Sequence, residues 1–425
     1  MKIQKSSTSI SPFAGISFAN AIFNNCGLSQ LIDSEIGNRV STVGYSYSDI
    51  IRNYANIIFS GGNCAEDIQT HLGKYLKAIP GNNVPSADTM LRGIKQLAAE
   101  NQVFTSQQDK QYTFNINTRL NRLNIKSLLL TNQLQPGNEY DFDYDNQVIA
   151  TCKYDAKNTY KQTKGYFPGV ASIDDKIVYV ENRDGNANVK FEQAATLSRA
   201  YGLLQEQGIS INRSRMDAGS YSKDIIKVVA QNSKLFYIRA NKCAELFEQI
   251  LQIETWQTVE INYKLYQVAS IEFTRFFAGE NYRLVIMREK SDDSQLDLFT
   301  RDNFVYRTIL TNDWESDEKQ VIEYYNQRGK SEKLFDVMNN DFCWKHLPCS
   351  FINENTSFLI ITALIKNFYN YLVAKISEVF SEIKPTTRLK RFIFRFISVS
   401  GKWIYTARQW VLKLYSDRPY EQLQV

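Results

Sequence analysis

Residues 140–150 read YDFDYDNQVIA, and the rest of the chain is best read outward from them. From Tyr140 to Asp145 aromatic and acidic residues alternate strictly, which is the period of a β-strand. That period sets Asp141, Asp143 and Asp145 on one face and Phe142 and Tyr144 on the other. Three like charges on one face repel each other unless a cation or basic groups offset them. A solvent-facing edge strand would carry the same acids. Phe142, Tyr144, Val148 and Ile149 argue instead for a strand inside a sheet, with its carboxylates free to ligate a metal.

Downstream, Val170–Ile173 and Lys176–Val180 flank the two-residue turn Asp174-Asp175, a strand pair. A helix over 192–208, a strand over 209–217, a helix from Lys223 and a strand over 234–239 follow. Adjacent strands followed by alternating helix and strand define an α/β fold with a mixed sheet. Asp217 closes one of these strands, where ligand groups of such sheets gather, although an Asx turn explains a lone Asp as well. Residues 254–311 are again strand-like, a β-rich insertion.

The two ends read as helical. Apolar residues recur every three or four positions before about residue 135. Within that zone a short helix, a turn rich in Gly and Asn, and a helix N-capped by Ser86 carry Arg92 and Lys95. They form either a helix-turn-helix or a plain helical hairpin. A helix over 315–340 carries Tyr325, Arg328, Glu332, Phe335 and Asn339 as one stripe. The last fifty residues mix Lys and Arg with Phe, Trp and Tyr, either a solvated face or one that tracks phosphates. Lys153, Lys157, Lys161 and Lys164 offer the same two readings, and Trp314 is either a core residue or a base-stacking one.

Composition narrows the chemistry. The 425 residues carry 50 Lys and Arg against 45 Asp and Glu, a net charge of +5 that permits a nucleic-acid partner without demanding one. Two histidines, His71 and His346, exclude a three-imidazole zinc site, so a metal would sit among carboxylates, which favour Mg²⁺ or Mn²⁺. The six cysteines (Cys26, Cys64, Cys152, Cys243, Cys343 and Cys349) form no C-x-x-C pair and read as reduced, mostly buried thiols. No apolar segment resembles a signal peptide, and the longest apolar run, 358–365, is short of the roughly 20 residues that span a bilayer. A soluble, cytoplasmic protein with no membrane partner is the expectation.

The spacing Tyr325-x2-Arg328-x3-Glu332-x6-Asn339 resembles the signature of the DDE transposases of bacterial insertion sequences, in the branch with a Tyr-Arg-Glu-Lys motif. The strings DFDYDNQVI, KYDAKNTYK, GYFPGV, ENRDGNANV, RMDAGSYS, FYIRAN, YYNQRGKSE and MNNDFCW follow in the family's order, and PSADTMLRGIKQLA is similar to its N-terminal part. The likeness covers about 15–375. One departure is Asn339, where the family usually has Lys.

The resemblance implies an RNase H-like core in which Asp145, or Asp143 one step back, joins Asp217 and Glu332 in binding two Mg²⁺ or Mn²⁺ ions. It further implies DNA cleavage at terminal inverted repeats, a hairpin step, and strand transfer into target DNA by a homodimer in a synaptic complex on the nucleoid. Tyr325, Arg328, Asn339, Arg92 and Lys95 become the DNA-binding candidates. The implied organisation is a helical DNA-binding domain (1–135), a core in two parts (136–253 and 312–375) around the insertion (254–311), and a basic helical C-terminal region (376–425). A DNA-binding protein that has lost cleavage, or a metal-dependent nuclease without strand transfer, is the alternative.

Overall fold

The computed structural model describes residues 1–4, 10–39, 44–241, 244–273, 280–290 and 303–423. Eleven strands form one mixed sheet: β1 (Asn101–Thr105), β2 (Gln111–Asn115), β3 (Glu139–Asn146), β4 (Gly169–Ile173), β5 (Lys176–Arg183), β6 (Ser210–Met216), β7 (Ser233–Arg239), β8 (Gln257–Ile261), β9 (Lys264–Phe273), β10 (Tyr282–Lys290) and β11 (Phe304–Thr311). Their order is β1-β2-β5-β4-β3-β6-β7-β11-β10-β9-β8. At the centre, β3 is antiparallel to β4 and parallel to β6, and β6 is parallel to β7. This is the α/β fold with a large mixed sheet that the resemblance implies, and the strands of residues 257–311 continue it past β7.

The N-terminal helices are α1 (Ile16–Asn25), α2 (Leu28–Ile36), α3 (Tyr47–Phe59) and α4 (Ala87–Gln96). Helices α5 (Thr118–Leu130), α6 (Gln193–Glu206), α7 (Lys223–Asn232), α8 (Glu318–Asn326), α9 (Lys330–Asp341) and α10 (Ile352–Ser377) follow. The N-terminal zone is therefore not wholly helical. β1 and β2, whose side chains are mostly polar and half exposed, extend the main sheet through Phe114 and Asn115. Beyond Gly401 the chain leaves the helical pattern and forms a hairpin, Gly401–Thr406 with Gln409–Leu414. Its run of Trp, Ile, Tyr and Val favours a strand.

Helix α10 is the one helix, among the described residues, long and apolar enough to cross a membrane. Here it is a core helix, buried along most of its length against β5, α5 and the N-terminal helices. Cys343 and Cys349 are buried, Cys26 and Cys64 partly buried and Cys152 exposed, all as free thiols; Cys243 lies outside the described residues.

Strand β5 meets β2 only near its end, at Asn182 and Arg183, so its earlier residues have a free edge. Buried asparagines close that edge. Asn121 on α5 accepts from the Val180 N–H at 2.9 Å and donates to its carbonyl at 2.9 Å. Asn367 on α10 does the same for Ile177 at 3.1 and 2.8 Å, and Asn124 also donates to the Ile177 carbonyl at 2.7 Å. Side-chain amides thus stand in for a missing strand and tie both helices to the sheet. Asn121→Leu leaves two buried backbone groups of Val180 without partners and should cost about 2–4 kcal/mol, read from urea unfolding midpoints. A cost under about 1 kcal/mol would show that the amide does not seal the edge.

Candidate active site

The acidic face of β3 meets a basic face on β6. The parallel register sets Asp141 opposite Arg213 and Asp143 opposite Arg215. Arg213 holds Asp141 through two N–H donors at 2.9 and 2.7 Å, and Arg215 holds Asp143 at 2.7 and 2.8 Å. These are bidentate forks, the strong form of this pair. An irregularity between Tyr140 and Asp141 shifts the register by one residue and brings arginines opposite aspartates. Without it every partner would fall on the opposite face of β6.

One rung further the pairing breaks its own rule. Beyond Tyr144 and Met216 the same register carries Asp145 toward Asp217, two acids at the carboxyl ends of adjacent parallel strands. Burial, and then the charge of Asp217, push the Asp145 carboxyl up to about 6, and Arg328 opposes the rise. Arg328 Nη1 donates to Asp145 Oδ2 at 2.9 Å, a single bond from a different element. Asp217 Oδ1 accepts the Gly219 N–H at 2.9 Å, so the Asx turn is present too. On the far side, Lys190 is close enough to feel the charge of Asp217, and its ammonium donates to the Tyr221 carbonyl at 2.8 Å.

How Arg328 arrives there follows from YYNQR. The expected single helix over 315–340 is in fact α8, a 3-10 turn at Gln327–Gly329, and α9. The Tyr324 ring lies over both Arg213 and Arg215, with its centroid 4.0 and 4.6 Å from the guanidinium carbons. Its carbonyl accepts from Arg215 at 3.0 Å. Tyr325 is buried, its phenol pushed up to about 12 by that burial, and its hydroxyl donates to the Met216 carbonyl at 3.3 Å. Two tyrosines thus fasten the end of α8 to β6 next to Asp217, and the 3-10 turn delivers Arg328 to Asp145.

The sequence candidates divide accordingly. Asp145, Asp217, Arg328 and Tyr325 come together. Asp143 is nearly fully buried with both oxygens in the Arg215 fork, so the geometry favours Asp145 over Asp143 for contact with anything entering from solvent. Glu332 stands on the first turn of α9, three-quarters exposed, its carboxylate 3.7 Å from Arg328 Nη2. Asn339 exchanges two amide hydrogen bonds with Gln147, at 3.2 and 3.3 Å, and so docks α9 onto the segment leaving β3. Arg92 and Lys95 lie exposed on α4, which packs on α3 and α10, with Lys95 3.6 Å from Glu354. Trp314 is half exposed and donates to the Asn281 carbonyl.

A cleft of about 1170 Å³ opens over Asp145 and Asp217, walled by the β1–β2 turn, the 185–192 loop and Tyr160. Sequence reasoning passed over Arg213 and Arg215, although RSR at 213–215 repeats the spacing of the aspartates it neutralises. It also passed over Lys190 and Tyr324, which carry no pattern of their own.

Among the described residues, no three His, Cys, Asp or Glu side chains already stand together as a metal site. The donor chemistry nevertheless fits a hard divalent cation. Two carboxylates face one cleft, one is driven toward its neutral form by burial and then by the charge of the other, and a third lies on the next helix.

Because the Asp145 carboxyl rises from an ordinary 3.8 to about 6, the folded protein keeps a proton between about pH 4 and 6 that the unfolded chain has released. Its stability should therefore fall as pH rises through that window. Without divalent metal, Asp145→Asn should be more stable than the parent at pH 8, by about 1–3 kcal/mol, with no gain below pH 4. Asp143→Asn should be destabilising by about 3 kcal/mol, because it strands buried Arg215. Urea unfolding of both variants at several pH values measures this; equal effects would dissolve the distinction between the two aspartates.

The family described as Transposase DDE domain group 1 matches residues 1–424. No curated protein matches the chain. Among solved structures, the chain is similar to a piggyBac transposase in a cryo-EM synaptic complex with hairpin DNA. The identity is 12%, 91% of this chain and 80% of that chain are covered, and the TM-score is 0.41. The chain belongs to the DDE transposase family, group 1, and is an enzyme of DNA transposition.

Proposed function

We propose that the chain is the transposase of a bacterial insertion sequence, cutting DNA at the element's terminal inverted repeats and joining the freed ends to target DNA. The observation that carries this reading is the pair of acids just past the end of the β3–β6 ladder, where Asp145 feels the charge of Asp217 and is held by a single hydrogen bond from Arg328 instead of a fork. DDE transposases generally use divalent metals, and here Asp145, Asp217 and Glu332 would hold two Mg²⁺ or Mn²⁺ ions. Bound there, the ions would supply Lewis-acid stabilisation of charge on the attacked phosphodiester.

The chain's own residues do the rest. Arg328 leaves Asp145 and turns its fork to a phosphate, which matches its geometry better than a single carboxylate oxygen does. Lys190 holds positive charge beside Asp217 on the opposite wall. Tyr325 keeps the end of β6 in position, and the Asn339–Gln147 pair keeps α9, with Glu332, against the end of β3. Attack of water on phosphorus breaks the bond to the 3′ oxygen and leaves a 3′-OH on one side and a 5′-phosphate on the other. That 3′-OH attacks the opposite strand, closing a hairpin and releasing the flanking DNA with its own 3′-OH. A second water opens the hairpin and restores the 3′-OH, which then attacks the target strand and displaces a 3′-OH there. Helix α4, with Arg92 and Lys95 exposed, fits contact with the repeat. Cutting both ends together calls for a homodimer, at work on the nucleoid in the cytoplasm.

On DNA carrying the element's own end, Mg²⁺-dependent cleavage should leave a 3′-OH. Glu332→Gln should lower its rate at least about a thousandfold while duplex affinity changes less than about threefold. Binding without cutting by the parent would mark a silent DNA-binding protein, and cutting without strand-transfer product a nuclease. Arg92→Ala should weaken end binding and reduce the salt slope by about 1 if it meets a phosphate; an unchanged slope removes α4 from the interface.

A further inference from the structure

The C-terminal hairpin is built in a way its own stability does not explain. Among the described residues it belongs to no larger sheet, and its strands pair only with each other apart from a bridge between Gly401 and Ser11 at the base. The base is firmly held. Ser11 and Gly401 exchange backbone hydrogen bonds at 2.8 and 2.9 Å, and Trp403 donates to Ser17 at 3.1 Å. A Cβ at Gly401 would lie 2.6 Å from the Ala14 Cβ, so only glycine allows this approach.

Beyond the Gly401 pair, two features of the hairpin cost stability. Lys402 lies directly opposite Lys413, and like charges at that position repel. Neither lysine, nor Arg408, has an ion-pair partner among the described residues. The tip is Ala407-Arg408, both at positive φ (47° and 61°) where glycine or asparagine would be easier. Tyr405 and Trp410 pair across the strands with ring centroids 5.3 Å apart, yet remain 62% and 53% exposed.

The surroundings share one sign. Between Glu382 and Asp417 there is no acidic residue, against eight Lys and Arg. The facing lysines and the one-sign surroundings repel in water and are favourable against a polyanion, and the exposed aromatic pair leaves apolar surface for a partner. A two-stranded ribbon also has the width of the DNA major groove.

We infer that the hairpin 401–414 is a second DNA-contacting element, separate from the cleft over Asp145 and Asp217, which lays Lys402, Arg408 and Lys413 along the phosphates of a duplex. Tyr405 and Trp410 supply apolar contact near the tip. The inference rests on the reading of the chain as a transposase, and it names where flanking or target duplex is held while an end occupies the catalytic cleft.

The test is fluorescence anisotropy of a dye-labelled DNA duplex over a salt series, with the full chain and its Lys402→Gln/Arg408→Gln/Lys413→Gln variant. The expected result is a salt slope smaller by roughly 2–3, about one phosphate contact for each residue, with a melting temperature equal to or above the parent's because the lysine repulsion is gone. A merely structural hairpin would give the reverse, a lower melting temperature with an unchanged slope. Single Arg408→Gln, at the exposed tip, should lower the slope by about 1 without touching the fold. Unchanged slopes in both variants would overturn the inference. So would a change of oligomeric state without a change of slope, which would assign the hairpin to a second copy of the chain. Absence of duplex binding by the parent itself would instead bring down the transposase reading on which the inference stands.

Discussion

Everything at the centre of this molecule depends on the pairing of carboxylates on β3 with guanidinium groups on β6. Three acids spaced two apart cannot share the face of a buried strand unless each is compensated. The chain compensates the first two with forked arginines on the neighbouring strand, and the third with a single hydrogen bond from an arginine of the α8–α9 junction. The first two rungs are scaffold; they fix the register and hold β3 against β6. Past the last rung, two acids stand together at the strand ends with a counter-charge held by a single hydrogen bond.

That division explains why the signature tyrosine and arginine lie in a broken helix rather than a smooth one. A continuous helix would continue the stripe from Tyr325 to Glu332 along one face. The 3-10 turn at 327–329 lets Tyr325 pack on the end of β6 while Arg328 reaches across to β3. Tyr324 matters as much as its neighbour, because its ring covers the two structural guanidiniums and carries the end of α8 with them. The same economy appears at β5, where buried asparagines of α5 and α10 take the place of a strand and bind the helical layer to the main sheet.

The periphery follows a different logic. The β1–β2 turn and the 185–192 loop wall the cleft with polar side chains, and the basic, aromatic hairpin stands apart on the N-terminal helices. The strands set the positions of the acids, and the turns around them and the separate hairpin make up the polar and basic surface of the molecule.

By itself the sequence determined the alternation of β3, the strand–helix succession after it, Asp217 at a strand end, and the spacing of Tyr325, Arg328 and Glu332. These are local periodicities, and local periodicity survives without knowledge of neighbours. It did not determine which of Asp143 and Asp145 faces the cleft, because both point the same way along one strand. That was decided only when an irregularity in the β3–β6 register set Arg215 opposite Asp143 and left Asp145 opposite another acid. Nor could it foresee β1 and β2, whose polar residues acquire strand geometry from the sheet edge they extend, or the hairpin past Gly401, where basic residues suggested a helix face and the aromatic and β-branched ones formed strands. In each case the deciding term is a partner distant in the chain, and only the tertiary structure brings that partner within reach.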